Sequence, residues 1–428
     1  MDALPDSIAV DGAFGSASVT ARRSTVRRLK ILFLSLWCPY PLDNGTRIRQ
    51  YNLLRYLAQY HDVSLFTFLP DETWRASLPA LEIFCKKVVG IQSRMYDPSS
   101  LRSIAGLFSP LPRVLAATDS REMRRLIARE TADSEYDVFI AGEIGAAHYV
   151  EASTARIALL DDPEIAVLYD RLQPTQKRVT RWRHRVTQVK FERFMRRTLS
   201  RYNACGVVSR PELALVQPLA PAGLPIRIIP NGVDTHINRP GLRAPAPDTL
   251  VFSGSLNYFA NRDAVEYFLR DIFPLIRQEI PTAALTVTGR HNGVLPGTLE
   301  ERQQVVFTGF VDDVRPVVAG SQVSIVPLRQ GGGTRLKVLE AMALGVPVVS
   351  TSKGVEGLDV VAGRHALIED DPRAFAEAVV RLLSDPHMRE TLTTHARRLV
   401  ETTYDWQGIG ARMNDLILET LARREAQP

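Results

Sequence analysis

Residues 330–349, Gln-Gly-Gly-Gly-Thr-Arg-Leu-Lys-Val-Leu-Glu-Ala-Met-Ala-Leu-Gly-Val-Pro-Val-Val, gather side chains and backbone that can do chemistry. Gly331, Gly332 and Gly333 follow an apolar stretch and let the backbone approach a ligand without Cβ interference. Thr334 is placed to cap a helix whose free N–H groups and dipole attract an anion, which points to a phosphate. Arg335 adds a bidentate donor at the helix mouth. Lys337 adds a point charge three residues before Glu340, so Lys337 and Glu340 share one face. Glu340 falls about 9 Å along the axis from Thr334 at about 1.5 Å per residue, the scale that separates a diphosphate from the ribose of its nucleoside. A carboxylate can accept hydrogen bonds from two vicinal hydroxyls, so one helix could hold both groups. The plainer alternative is a glycine turn, a helix and a surface Lys337–Glu340 pair worth about 0.3 kcal/mol.

A second glycine-opened turn is Asn44-Gly45, between the apolar run Leu29 to Leu36 and a helical pattern at Ile48, Tyr51, Leu54 and Leu57. Backbone there can approach phosphate or sugar, with Arg47 and Arg49 facing an anionic ligand, or simply exposed on a first helical turn. The acidic pairs Asp312-Asp313 and Asp370-Asp371 precede helix starts and read as caps, whereas Asp162 ends a strand and could face a cleft. The sequence contains no strict Asp-x-Asp, complete G-x-G-x-x-G after the first strand, G-x-x-x-x-G-K, G-x-S-x-G or H-E-x-x-H. Dehydrogenase, P-loop, serine hydrolase and zincin chemistry therefore lose their usual support.

These turns need strands and helices to position them. The 428 residues, 45% hydrophobic and 23% charged, suit two or three ordinary globular domains rather than disorder. Strands are expected at 29–36, 63–68, 136–141, 155–160 and 206–209, and again at 249–253, 284–288, 305–308, 323–326, 347–350 and 366–369, with helices between. Pro218 to Pro247, containing Pro230-Asn231-Gly232-Val233-Asp234, reads as a hinge. The fold class is α/β, two doubly wound Rossmann-like domains meeting across a cleft: residues 29–238, completed by a C-terminal helix at 406–424, and residues 239–405, after a flexible leader at 1–28. The net charge of +6 favours anionic ligands without the clustered excess of a nucleic-acid binder. Three scattered cysteines, Cys38, Cys85 and Cys205, argue against a disulfide framework and fit a reducing cytoplasm. No apolar stretch is long enough to span a bilayer. Lys177 to Arg201, with ten cations and Glu192 as the single acid, reads either as a basic amphipathic helix for the anionic inner face of a cell membrane or as an ordinary helix with a solvated back.

Leu336 to Val349, Asn231-Gly232-Val233-Asp234, Phe252-Ser253-Gly254-Ser255-Leu256 and Phe307-Thr308-Gly309-Phe310-Val311-Asp312-Asp313-Val314 together resemble the retaining, GT-B-fold glycosyltransferases of family 4. Pro39-Tyr40-Pro41 followed by Asn44-Gly45-Thr46-Arg47-Ile48-Arg49 resembles a bacterial exopolysaccharide sugar-transferase branch of that family. The likeness covers about residues 29 to 424. It implies a nucleoside-diphosphate-sugar donor held mainly by the second domain through Gly254, Ser255, Gly331, Gly332, Gly333, Thr334 and Glu340, with Gly45 contributing from the first. It also implies a glycan or lipid-linked glycan acceptor held by the first domain near Asn44, Arg47 and Glu143, with no metal and no other cofactor. Three departures stand out. Gly332 occupies the place of the first Glu of the family's Glu-x7-Glu pair, so backbone N–H groups of the 331–334 loop would replace it. Ser255 and Asn261 stand at or near the positions of an expected Arg and Lys, which leaves Arg335 and Lys337 as the cations that stabilise the leaving diphosphate. Gly142 and Glu143 occupy the region where a histidine often follows the central first-domain strand. The resulting expectation is a sugar transferase of cell-surface polysaccharide synthesis. The alternatives are a GT-B nucleotide-sugar 2-epimerase and a degenerate, non-catalytic binding protein.

Overall fold

The computed structural model describes residues 27–92, 109, 112–163, 178–293, 295–298, 300–333 and 335–426. Residues 1–26 of the expected leader, Thr334 and Lys177 lie outside the described residues.

The first half is a seven-stranded sheet in the order β3-β2-β1-β4-β5-β6-β7, parallel throughout. Its strands are β1 (Lys30–Ser35), β2 (Asp62–Leu69), β3 (Lys87–Gln92), β4 (Val138–Ala141), β5 (Ile157–Asp161), β6 (Ala204–Val207) and β7 (Ile226–Ile228). The continuous apolar run of β1 is explained by burial on both faces. Ile31 and Phe33 enter the core under α1 (Gly45–Tyr60), while Leu32 and Leu34 enter the opposite core with Met123 and Ile127 of α2 (Arg121–Asp133). Phe191, Met195 and Leu199 of α3 (Arg178–Leu199) join that second core, and Arg193, Arg196 and Arg197 remain exposed on its back.

The second half is a six-stranded parallel sheet in the order β10-β9-β8-β11-β12-β13. Its strands are β8 (Ala246–Ser253), β9 (Ala284–Thr288), β10 (Val305–Gly309), β11 (Ser321–Val326), β12 (Val348–Ser350) and β13 (Leu367–Ile368). The helices that matter here are α4 (Phe259–Tyr267), α5 (Leu336–Ala343), α6 (Pro372–Ser384) and α7 (Pro386–Leu399). Asp371 caps α6 by accepting from the N–H groups of Arg373 and Ala374, and Asp313 accepts from Arg315 N.

The chain passes between the sheets twice. Residues 229–238 lead outward, and a one-turn π-helix, Val400–Tyr404, leads back into α8 (Trp406–Glu425). The two passages lie together: Val233 N donates to Tyr404 O at 2.9 Å, and Thr235 Oγ1 donates to Asp405 Oδ2 at 2.6 Å. A Cβ on Gly232 would meet Tyr404 O at 2.5 Å, so this crossing admits only glycine without a shift. Trp406, Ile409, Met413, Leu416 and Ile417 of α8 then bury against Leu53, Leu54 and Leu57 of α1. Tyr56 seats its ring on Gly410, where an added Cβ would lie 2.1 Å from the ring base. Gly410→Ala should therefore lower stability by about 1–2 kcal/mol, against the gain of up to about 1 kcal/mol that alanine normally brings to a helix. The urea midpoint reads this sign directly.

The stretch 218–247 expected as a hinge also contains β7 and the start of β8, so the crossing itself is shorter than that stretch. Strand β3 was not expected: its Lys-Val-Val-Gly-Ile-Gln run is short, half-exposed and at the sheet edge, where alternation is weak.

Candidate functional site

Residues just beyond the C-terminal ends of strands in one half touch their counterparts in the other. Gly45, after β1, lies so that an added Cβ would be 3.4 Å from Leu336 Cδ1, after β11. Gly357, after β12, would lie 3.3 Å from Ser209 Cβ, after β6. The carboxyl edges of both sheets thus face one gap, the place where open α/β sheets bind ligands. In the first sheet the switch point falls between β1 and β4, beside the start of α1.

On the second-half wall, Gly254 directly follows β8 with φ +151. A Cβ there would meet Lys337 Nζ at 2.7 Å and Asn261 Nδ2 at 2.8 Å, so only glycine admits both neighbours undisturbed. Lys337 Nζ donates to Asn261 Oδ1 at 2.8 Å and sits 4.0 Å above the centre of the Phe252 ring. Asn261 Nδ2 in turn donates to Ser255 O at 2.8 Å. The sequence places Ser255 and Asn261 where a cation was expected, and the structure brings Lys337 to that same spot from α5. Burial pulls the Lys337 ammonium down to about 7, with neighbouring Arg335 pulling the same way and Glu340 opposing. Glu340, half-buried on the same helix, has its carboxyl raised by burial, with Lys337 opposing. Desolvation outweighs mutual attraction in both groups. In place of the plain surface pair allowed for in the sequence, the helix carries two partly desolvated charges, Lys337 against Gly254 and Glu340 half-buried one turn on.

Helix α5 begins at Leu336, with Arg335 at its N-cap position and no side-chain cap. The cap expected at Thr334 therefore falls one residue later. Arg335, 5% exposed, does not extend into the gap as a free cation. Its guanidinium bonds the carbonyls of Gly331, Gly332 and Lys353, with Glu356 at 3.7 Å. Gly331 and Gly333 adopt φ +98 and +87, and Gly333 is exposed.

On the first-half wall, Asn44 caps α1, its Oδ1 accepting from Arg47 N at 3.1 Å. Arg47 is 6% exposed, not on open surface. Its Nη1 bonds Asp43 at 2.6 Å and its guanidinium lies 4.3 Å over Trp74, leaving Nε without a partner. Arg49, 1% exposed, is buried and fully paired rather than open to a ligand. It forms a bidentate bond with Asp161 at 2.6 and 2.8 Å, and Nη1 reaches Ile229 O, Pro230 O and Asn231 Oδ1 at 2.9–3.1 Å. Asp162, with φ +43, is also buried. Glu143, 3% exposed, lies beneath the β1–α1 loop rather than open to the gap. It accepts from Leu36 N at 2.5 Å and from Gln50, and burial raises its carboxyl to about 7. The histidine nearest in sequence, His148, is buried and bonds Asp119 at 3.0 Å.

The sequence alone missed the Lys337–Asn261 bond and the Arg49–Asp161 pair. Both join residues separated by 76 or more positions, so no local spacing signals them. Among the described residues no group of three or more His, Cys, Asp or Glu is placed to hold a metal ion, and no helix is long and apolar enough to cross a membrane.

Over 395 residues, 88% of this chain and 96% of the relative, the sequence is 22% identical to a 44.6 kDa protein of the cps region of Klebsiella pneumoniae. Over 171 residues, 36% of this chain and 44% of the relative, it is 29% identical to the GDP-mannose-dependent alpha-(1-6)-phosphatidylinositol monomannoside mannosyltransferase of Mycolicibacterium smegmatis. Among solved structures, Anabaena HepE in complex with UDP superimposes with a TM-score of 0.62 at 14% identity, covering 91% of this chain and all of the other. The model of glycosyltransferase family 4 matches residues 44–237, and that of glycosyl transferases group 1 matches residues 247–385, together most of the chain. Two facing parallel sheets and these two matched regions make the chain a glycosyltransferase of GT-B type.

Proposed function

We propose that the protein transfers a sugar, with retention, from a nucleoside-diphosphate sugar on the second half to a hydroxyl of a glycan or lipid-linked glycan on the first, in cell-surface polysaccharide synthesis. The observation that carries this reading is Lys337 Nζ against Gly254, one helical turn from Glu340, on a helix that opens opposite Gly45. Diphosphate charge meets Lys337 and the N–H groups of the 331–333 loop, and the ribose hydroxyls meet Glu340. Preorganised donors of this kind act where the leaving diphosphate gains charge. The bond from the sugar's anomeric carbon to phosphate breaks and a bond to the acceptor oxygen forms on the same face. The acceptor proton passes to the departing phosphate oxygen, so no protein nucleophile is required. The cps-region relative supports the polysaccharide role, and the UDP complex of HepE supports the donor class. The exposed cations of α3 add peripheral contact with an anionic membrane, while Phe191, Phe194, Met195 and Leu199 pack inward and Val189 stays exposed beside the cations.

A thermal-shift panel of uridine, guanosine and adenosine diphosphates tests the donor. Ligand at 100 times Kd should stabilise the fold by about 2.7 kcal/mol. Labelled donor sugar must then appear in a glycan product only when acceptor is added. Conversion of donor without acceptor would mark an epimerase, and binding without turnover a non-catalytic protein.

Lys337 gives the binding a pH sign. A bound diphosphate favours the ammonium, whose free-state value is about 7, so donor affinity should fall as pH rises through that value. Kd measured at pH 6 and pH 8.5 should differ about tenfold. Lys337→Met should flatten this profile.

A further inference from the structure

We infer that Arg335 is a positioning residue that turns the N–H groups of Gly332 and Gly333 toward the donor diphosphate, an inference that rests on the reading of the site just given. Its guanidinium donates to Gly332 O at 3.0 Å through Nη1, to Gly331 O through Nη2, and to Lys353 O at 3.1 Å through Nε. A trans peptide is planar, with its C=O and the following N–H pointing in opposite directions. With the carbonyls of Gly331 and Gly332 fixed on the buried guanidinium, the N–H groups of Gly332 and Gly333 face the other side, where Gly333 is exposed. Among the described residues neither N–H has a protein acceptor. Left-handed residues at Gly331 and Gly333, flanking Gly332, shape successive N–H groups into the kind of concavity that holds an anion.

The third bond, to Lys353 O, ties this loop to the segment after β12, so one side chain fixes two loops of the same wall. A planar fork presents its donors from three separate nitrogens in fixed directions, whereas an ammonium radiates its donors from one. The function therefore depends on the shape of the guanidinium as much as on its charge. It also accounts for Gly332 in the place of the family's first Glu: a loop whose N–H groups serve as ligands has no need of a side chain at that position.

The test compares wild type with Arg335→Lys, measuring turnover of the nucleoside-diphosphate sugar that the wild type uses and the affinities of its nucleoside diphosphate and free nucleoside. The variant keeps the charge and loses the fork. Expected is a fall in kcat of about 100-fold, the scale of losing an aimed N–H donor, with nucleoside affinity unchanged. Retention of kcat/KM within threefold would overturn the inference, since charge alone would then suffice. Equal loss of nucleoside and nucleoside-diphosphate affinity would also overturn it, because that marks general damage to the wall. A second measurement needs no variant: in wild type labelled with 15N-glycine, the Gly332 and Gly333 amides should shift on adding the diphosphate and stay unmoved on adding the nucleoside. Unmoved amides with diphosphate bound would sink it. Failure of the wild type to bind any nucleoside diphosphate would instead strike at the donor reading itself.

Discussion

Glu340→Ala is expected to lower kcat/KM for the donor about 1,000-fold while leaving the fold intact. A carboxylate that accepts from two vicinal hydroxyls makes two charge-assisted hydrogen bonds, each worth about 1.5–3 kcal/mol. Their loss, offset in part by water entering the space, gives about 4 kcal/mol. Burial already holds the Glu340 carboxyl above its ordinary range, so the ionised group is a cost to the free protein at pH 7. Removing it should therefore leave thermal stability unchanged or slightly raised at pH 7. Steady-state kinetics and a melting curve on the same preparation check both halves. A variant within fivefold of wild type would remove the ribose role from Glu340.

The second large effect is on stability. Asp161→Ala leaves the Arg49 guanidinium, 1% exposed, without its carboxylate and should cost about 3–5 kcal/mol. Desolvation opposes the charged form of Arg49, yet Asp161 outweighs it and the guanidinium is held above its ordinary range. Because Nη1 also grips the carbonyls of Ile229 and Pro230, the damage should reach the crossing between the halves. The double replacement Arg49→Met with Asp161→Leu should cost less than Asp161→Ala alone, since no buried charge is stranded. Urea midpoints of the two proteins settle the order; the reverse order would mean that the pair is worth more than apolar packing.

Much of this architecture was legible in the sequence because parallel strands buried on both faces write themselves as continuous apolar runs. Leu29 to Leu36 and Ala284 to Thr288 match β1 and β9 within one or two residues. Strand β7, three residues long with Arg227 at its centre, carries no such run and hides among prolines and glycines. The Gly331–Glu340 stretch stood out as a candidate site from composition and spacing, with a plain glycine turn and helix as the alternative. The jobs of its two cations were not equally legible. The position of Lys337 on a helix face is a local property, and it does reach the wall of the gap. The direction of Arg335 depends on the carbonyl of Lys353, 18 residues on, which no local pattern encodes. The same reason explains Arg49: its register on α1 suits an exposed first turn, and only the return of β5 and of residues 229–231 beside it buries it. Glu143 was placed at the right strand end, but the folding of the β1–α1 loop over it could not be read from its neighbours.

The late arrival of α8 against α1 has a consequence for how the molecule is made. During synthesis from the amino terminus, the first sheet emerges with Leu53, Leu54 and Leu57 uncovered, and their covering helix comes only after the whole second sheet has been translated. At about 5–20 residues per second the nascent first half would wait some ten seconds or more with a sticky stripe in water. Holdase chaperones have that interval in which to act. A ribosome stalled before residue 406 would hold a first half lacking one wall of its core, however well the second half had folded.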